Sequence, residues 1–187
     1  MRSDLQRFFV FLHSVMRLTE ELRTILLYAR DEAMRTGCYG IGPEHLLLGV
    51  LRQGDNPAVQ ALVKFGLEPS DVKQALDSHV FRERAIPYED EEKVNFTRAA
   101  LNVTSLTIME AIRSNQDVSA IHLLAALCDN PGEFCCEYLH SHGVSLQVLR
   151  TYINKSSEEP AKSSSLPGTE DMNRLLSAFY QEKEIFS

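Results

Sequence analysis

Two stretches of this chain are near-copies of one another: Gly42-Pro-Glu-His-Leu-Leu-Leu-Gly-Val-Leu51 and Ser119-Ala-Ile-His-Leu-Leu-Ala-Ala-Leu-Cys128. Their histidines, His45 and His122, lie 77 residues apart. The same spacing carries Leu62 onto Leu139, Gly66 onto Gly143, Val72 onto Leu149 and Leu76 onto Ile153. Upstream, Thr19 maps onto Thr97 and Ala33 onto Ala111 at a spacing of 78, so one residue is lost between Gly37 and Ile41. A fixed internal period means a duplicated structural unit. The loss falls in a loop, where length changes are tolerated. Duplication implies pseudo-symmetry and a surface presented twice, rather than one asymmetric catalytic centre.

Each copy reads as four short helices. In the first, Thr19 is a natural N-cap, and Glu20 and Glu21 suit the positive end of the helix dipole. Leu22, Ile25, Leu26, Ala29 and Ala33 recur at helical spacing, and Gly37 ends the helix. Pro43 opens the second helix at its first position, with Leu46, Leu47, Val50 and Leu51 inward and Gly54 closing it. Asn56-Pro57 starts a third helix through Ala58, Val59, Leu62 and Val63, stopped at Gly66. Ser70 is expected to cap a fourth with Val72, Ala75, Leu76 and Val80. The second copy follows suit. Thr97 caps a helix carrying Ala100, Val103, Thr107 and Ala111, and Ser119 caps one carrying Leu123, Leu124 and Leu127. A third runs from Cys135 to His142, and Ser145 caps a fourth with Leu149, Tyr152 and Ile153. No window alternates with period two, so no sheet is expected.

The expected fold class is therefore all-α, two pseudo-symmetric four-helix repeats in one domain. Its expected organisation is an N-terminal extension over 1–16, repeat one over 17–81, a linker over 82–92 and repeat two over 93–155. Residues 156–170 form a linker of Ser, Lys, Glu and Pro with almost nothing to bury, expected to be disordered. Residues 171–187 read as a short helix or tail, amphipathic through Leu175, Leu176, Phe179 and Tyr180.

The formal charge of −7 and the lack of a Lys/Arg stripe argue against a nucleic-acid partner. The one apolar run near the N-terminus, Phe8 to Leu12, is far shorter than the ~20 residues of a membrane span. Arg2 and Arg7 precede it but no small-x-small cleavage site follows. It reads as a helix packing on the domain, or as an extension ahead of a start at Met16. Four cysteines, none in a CxxC pair, suit a reducing cytoplasm.

His45 and His122 invite a metal pair, but equivalent places in two repeats are held apart by the symmetry, and buried, locally bonded histidines are the expectation. Cys136 and His140, with Cys135 and His142 beside them, could supply half a zinc site or a reactive thiol. A small metal- or thiol-dependent enzyme is therefore the alternative function. Against it, the repeat maps Cys136 and His140 onto Val59 and Val63, read as packing positions. Gly37 to Gly42 lacks the strand and lysine of a phosphate loop, and no Gly-x4-Gly-Lys-Ser/Thr occurs. No cofactor is expected.

Leu18-Thr-Glu-Glu-Leu22, the helix ending at Gly37 and Ile41-Gly-Pro-Glu-His-Leu-Leu-Leu-Gly-Val-Leu51 together resemble the Clp N-terminal repeat. Two such repeats form the N-domain of Clp AAA+ unfoldases. The resemblance spans about residues 17 to 155 and is weaker in the second copy, where Gly-x-Glu-His has become Ser119-Ala-Ile-His122. It implies a non-enzymatic module that captures protein substrates or adaptors, or associates with Clp ATPase or protease subunits. Without the Walker sequence, the chain reads as a free-standing N-domain, an accessory subunit or a truncated unfoldase. The resemblance also implies binding residues. In ClpC-type N-domains the threonine and glutamate matching Thr19 and Glu44 belong to a phospho-arginine pocket. Glu44 would pair with the guanidinium, while Thr19 and helix-start N–H groups would take the phosphoryl oxygens. The second pocket keeps Thr97 but has Ile121 in place of the glutamate. The other reading of these residues is that Thr19 and Glu44 simply cap helices.

Overall fold

The computed structural model describes residues 19–156 except residue 83. The expectations for the N-terminal extension, Met16 and the C-terminal tail lie outside the described residues. Repeat one holds α1 (Glu20–Thr36), α2 (Pro43–Gln53), α3 (Pro57–Lys64) and α4 (Pro69–Val80). Repeat two holds α5 (Arg98–Ser114), α6 (Ala120–Leu127), α7 (Phe134–Ser141) and α8 (Leu146–Ser156). The fold is all-α.

The helix ends obey local chemistry. Thr19 and Thr97 accept the N–H groups of Leu22 and Ala100, each at 3.2 Å, and Asn56 accepts that of Val59 at 2.9 Å. Gly37 ends α1 in the left-handed region at φ 80°, where a side chain would be strained. One cap differs from expectation. Helix α4 begins at Pro69 with Glu68 as N-cap, and Ser70 lies inside the first turn. Proline's fixed φ and missing N–H favour the first helical position, which moves the boundary two residues upstream.

The core is continuous across the two repeats. Ile25, Leu46, Leu47, Leu62, Leu76, Leu123, Leu124, Leu139 and Leu149 are fully buried in one cluster. Each is worth about 1.5–3 kcal/mol relative to exposure. Within each repeat the first helix packs on the second; between repeats, α3 packs on α6, and α2 packs on α5, α6 and α7. At Gly49 the α1–α2 packing is close. A Cβ there would lie 2.5 Å from Ile25 O and 2.9 Å from Ala29 N.

A small sheet is present against expectation. Strands β1 (Gly40–Ile41) and β2 (Asn95–Phe96) pair in parallel, Gly40 with Asn95 and Ile41 with Phe96. Two residues per strand are too few for any alternation to show in sequence. The pairing leads into a cross-brace: Thr97 donates its N–H to Ile41 O at 3.0 Å and its hydroxyl to the same oxygen at 3.2 Å. Its counterpart Thr19 does the same to Val118 O, at 3.3 and 3.2 Å. Each threonine thus caps its own repeat and ties it to the other.

The segment joining the repeats is also held. Ile86 is buried and donates to Met34 O at 2.9 Å, and a 3-10 helix spans Tyr88–Lys93. Within its acidic run, Glu91 pairs with Arg30.

Candidate functional site

The histidines of the duplicated motif are buried and locally bonded. His45 Nδ1 accepts the Gly42 N–H at 3.0 Å, which places the ring proton on Nε2. Nε2 then donates to Thr36 Oγ1 at 3.0 Å, and Thr36 donates to Glu32 O at 2.8 Å. Repeat two builds the same relay. His122 Nδ1 accepts the Ser119 N–H at 3.2 Å, Nε2 meets Ser114 Oγ at 2.9 Å, and Ser114 donates to Ala111 O at 3.0 Å. Burial disfavours the charged ring and pushes both imidazoles down to about 4. With both nitrogens of each ring engaged, neither has a lone pair left for a metal. Their role is to stitch the end of one helix to the start of the next.

The Cys/His group does not converge into a site. Cys135 and Cys136 are buried, and Cys136 Sγ donates to Cys128 O at 3.4 Å and stands 4.0 Å from His140 Nε2. His142 turns away onto Tyr138, with ring centroids 4.4 Å apart. Burial raises the thiols of Cys128, Cys135 and Cys136, which disfavours the thiolate. Among the described residues no group of three His, Cys, Asp or Glu side chains is arranged to hold a metal. One sequence argument fails in detail: Val63, the counterpart of His140, is 48% exposed and is not a packing position.

An open cleft of about 550 Å³ lies where the repeats meet. The 37–42 loop and the first turn of α2 form one side, with Glu44 in its floor. Thr97 and Ala99, at the start of α5, face it from repeat two. His79, Arg82 and Glu133 complete the rim. Among the candidates, the fold therefore brings Glu44 together with Thr97. Thr19, which sequence reasoning grouped with Glu44, lies instead against Val118, near the start of α6. There Glu21 accepts the Ala120 N–H at 3.1 Å. Ile121 is buried and lines no part of the cleft.

Glu44 is only 7% exposed. Its Oε1 accepts one long hydrogen bond, 3.4 Å from the Cys135 N–H in the first turn of α7. Its Oε2 lies beside Gly42, where an added Cβ would sit 3.2 Å away. Glu133, the N-cap residue of α7, stands at the same corner. Burial and the neighbouring Glu44 charge raise the Glu133 carboxyl above its ordinary value. Glu133 was missed in the sequence because it sits in a loop of repeat two; only the fold brings it beside Glu44. Opposite this corner, the first N–H groups of α5 have no intrahelical acceptor, and no acidic residue occupies its first turn. The cleft thus pairs an anionic corner with a helix start of positive potential.

Comparison with known proteins bears on the family and the fold. The Clp repeat (R) N-terminal domain family matches residues 17–115. The negative regulator of genetic competence ClpC/MecB of Bacillus subtilis is 30% identical over 154 residues, covering 82% of this chain and 18% of that protein. Chaperone protein ClpB of Oceanobacillus iheyensis is 29% identical over 138 residues, covering 73% of this chain and 17% of that one. The chain thus spans under a fifth of the length of these relatives. Among solved structures, the N-terminal domain of the ClpV1 ATPase from E. coli superposes with a TM-score of 0.63 at 18% identity, covering 87% of this chain and 98% of that domain. The N-terminal domain of ClpD from Arabidopsis thaliana gives 0.57 at 18%, covering 75% and 96%. At these identities the two structures speak to the fold.

Proposed function

Because the chain belongs to the Clp repeat N-terminal domain family, we propose that it is a non-enzymatic protein-binding module. It captures substrates or adaptors for a Clp unfoldase or protease. Its contact surface is the inter-repeat cleft, and its ligand there is a basic side chain of the captured protein. The observation that carries this reading is Glu44. A carboxylate that is largely buried at the edge of an open cleft, and bonded only at long range by a backbone N–H, has no cationic hydrogen-bond donor among the described residues. A guanidinium supplies that donor with planar, two-pronged geometry.

Thr97 and the start of α5 would take polar groups of the ligand opposite Glu44. Phospho-arginine, the form of the side chain implied by the family resemblance, would direct its phosphoryl group there. Thr19 remains the candidate contact at the pseudo-symmetric position, where Ile121 replaces the carboxylate. One cation site per chain is expected, not two.

The test is fluorescence anisotropy with labelled casein as an unfolded protein probe. Saturable binding should weaken about tenfold or more in Glu44→Gln, while Ile121→Ala binds as the wild type does. Indifference to Glu44→Gln would remove the cleft from the reading. No binding by the wild type would remove capture itself.

A further inference from the structure

Helix α5 carries a second apolar stripe that its counterpart α1 lacks. Ala100, Val103, Thr107 and Ala111 turn into the core. Leu101, Ser105, Ile108 and Ile112 form the second stripe, recurring at helical spacing. The repeat places Arg23, Leu27, Arg30 and Met34 at the matching points of α1. There the two arginines pair with Glu20 and Glu91, and the stripe is charged. On α5 no residue of the stripe carries a charge. The hydroxyls beside it are turned back onto their own helix: Ser105 and Thr104 both donate to Leu101 O, at 3.0 and 2.8 Å. Ser105 stands roughly 160° around the helix from both Val103 and Thr107, on the side away from the core. It is nonetheless only 8% exposed. Burial that deep on an outward face requires a cover.

We infer that the outward stripe of α5 is a docking surface for residues 5–16 of the same chain, which lie antiparallel on it as an amphipathic helix. The described fold begins at Thr19, whose N–H is donated to Val118 O at 3.3 Å. The residues before it therefore enter beside the C-terminal end of α5. Leu5, Phe9, Leu12 and Met16 recur along one helical face. Taken antiparallel, their spacing is that of Leu101, Ser105, Ile108 and Ile112, step for step. Met16 then meets Ile112, Leu12 meets Ile108, Phe9 meets Ser105 and Leu5 meets Leu101. The largest side chain of the segment falls on the smallest of the stripe, as interlocking helix surfaces require. Residues 5–16 and residues 101–112 each span about 18 Å as helix, so the lengths match. The charges agree at both ends: Arg17 falls near Asp117, and Asp4 near Arg98. The matching face of α1 is unsuited, because docking there would strip water from Arg23 and Arg30. This surface is separate from the cleft and does not depend on what the cleft binds.

The experiment is hydrogen exchange read by mass spectrometry on the full chain. Amides of residues 8–16 should exchange about tenfold or more slowly than in a synthetic peptide of residues 1–18. Ile108→Arg, which copies Arg30 of repeat one, should return them to the peptide rate, whereas Leu27→Arg on α1 should not. Leu12→Asp should release the segment in the same way without touching the repeats, which keeps the test decisive if Ile108→Arg unfolds. The register has its own check. A Phe9→Cys/Ser105→Cys double variant treated with oxidised glutathione should form a disulfide within one chain, and Phe9→Cys/Leu27→Cys should not. Exchange at the peptide rate in the wild type overturns the inference, as does protection that survives Ile108→Arg in a folded variant. Crosslinking to position 27 in place of 105 overturns it too. Protection that falls on dilution, with a dimer in sedimentation, would put the segment of a second copy on the stripe and overturn docking within one chain.

Discussion

At the scale of single residues, the two buried histidines make a stated demand on pH. In the folded chain each ring titrates near 4, whereas an unfolded histidine titrates near about 6.5. As pH falls, the unfolded chain takes up the proton first. The stabilisation from the neutral rings is therefore complete above about pH 6.5 and is lost as pH falls towards 4. At pH 5 the loss is about 2 kcal/mol for each histidine. Urea unfolding at pH 7.5 and pH 5 should show it, and a His45→Asn/His122→Asn double variant should show a much flatter profile. Equal midpoints for the wild type at the two pH values would mean the relays do not hold the rings neutral. A second residue-scale prediction concerns Gly49. Its repeat partner is Ala126, itself fully buried. Gly49→Ala places a methyl group against Ile25 O and Ala29 N and should cost about 1–3 kcal/mol by overpacking. Ala126→Gly should cost only about 1 kcal/mol. Thermal melts of the two variants compare them directly.

At the scale of elements, the apolar stripes carry the fold. Leu46 and Leu123 follow the duplicated histidines and are buried to within 1%. Truncating either to alanine should cost about 2–5 kcal/mol. A melting temperature within a degree or two of wild type would mean the helix phase is misread. These stripes, the glycine stops and most caps were legible in the sequence, because a helix reports its buried face every three to four residues. What was not legible depends on partners distant in sequence. The β1–β2 pair is two residues long and leaves no periodic trace. The start of α4 turned on Pro69, which outcompeted Ser70 as a boundary signal. The site was half legible. Glu44 and Thr97 were named, but repeat logic grouped each within its own copy, and the cross-repeat packing regroups them. Glu133 carried no motif at all.

At the scale of the whole molecule, the question is whether two repeats make one folding unit or two. Three observations favour one. The core cluster runs through both repeats, α2 packs on three helices of repeat two, and the threonine braces cross between repeats in both directions. Buried ion pairs also recur: Glu110 is held by Arg113 at 3.0 Å and Arg150 at 2.6 Å, as Glu32 is by Arg35 at 2.7 Å and Arg52 at 3.2 Å. Burial alone would raise the Glu110 carboxyl, but the two arginines outweigh it and hold it below the usual range. These pairs stay within a repeat, so they stiffen each copy without joining them. Joining falls to the shared core and the braces. Unfolding should therefore be a single cooperative transition, with coincident circular dichroism and tyrosine fluorescence midpoints. Thr97→Val removes a helix cap and a cross-brace together and should cost about 1–2 kcal/mol without splitting the transition. Hydrogen exchange provides the sharper check. Leu46→Ala lies in repeat one, yet the slowest amides of α6 in repeat two should lose protection by the same free energy as those of α2, because both exchange through global opening. If α6 keeps its wild-type protection while α2 loses its own, the repeats open independently. The cleft between them would then be a hinge rather than a preformed site.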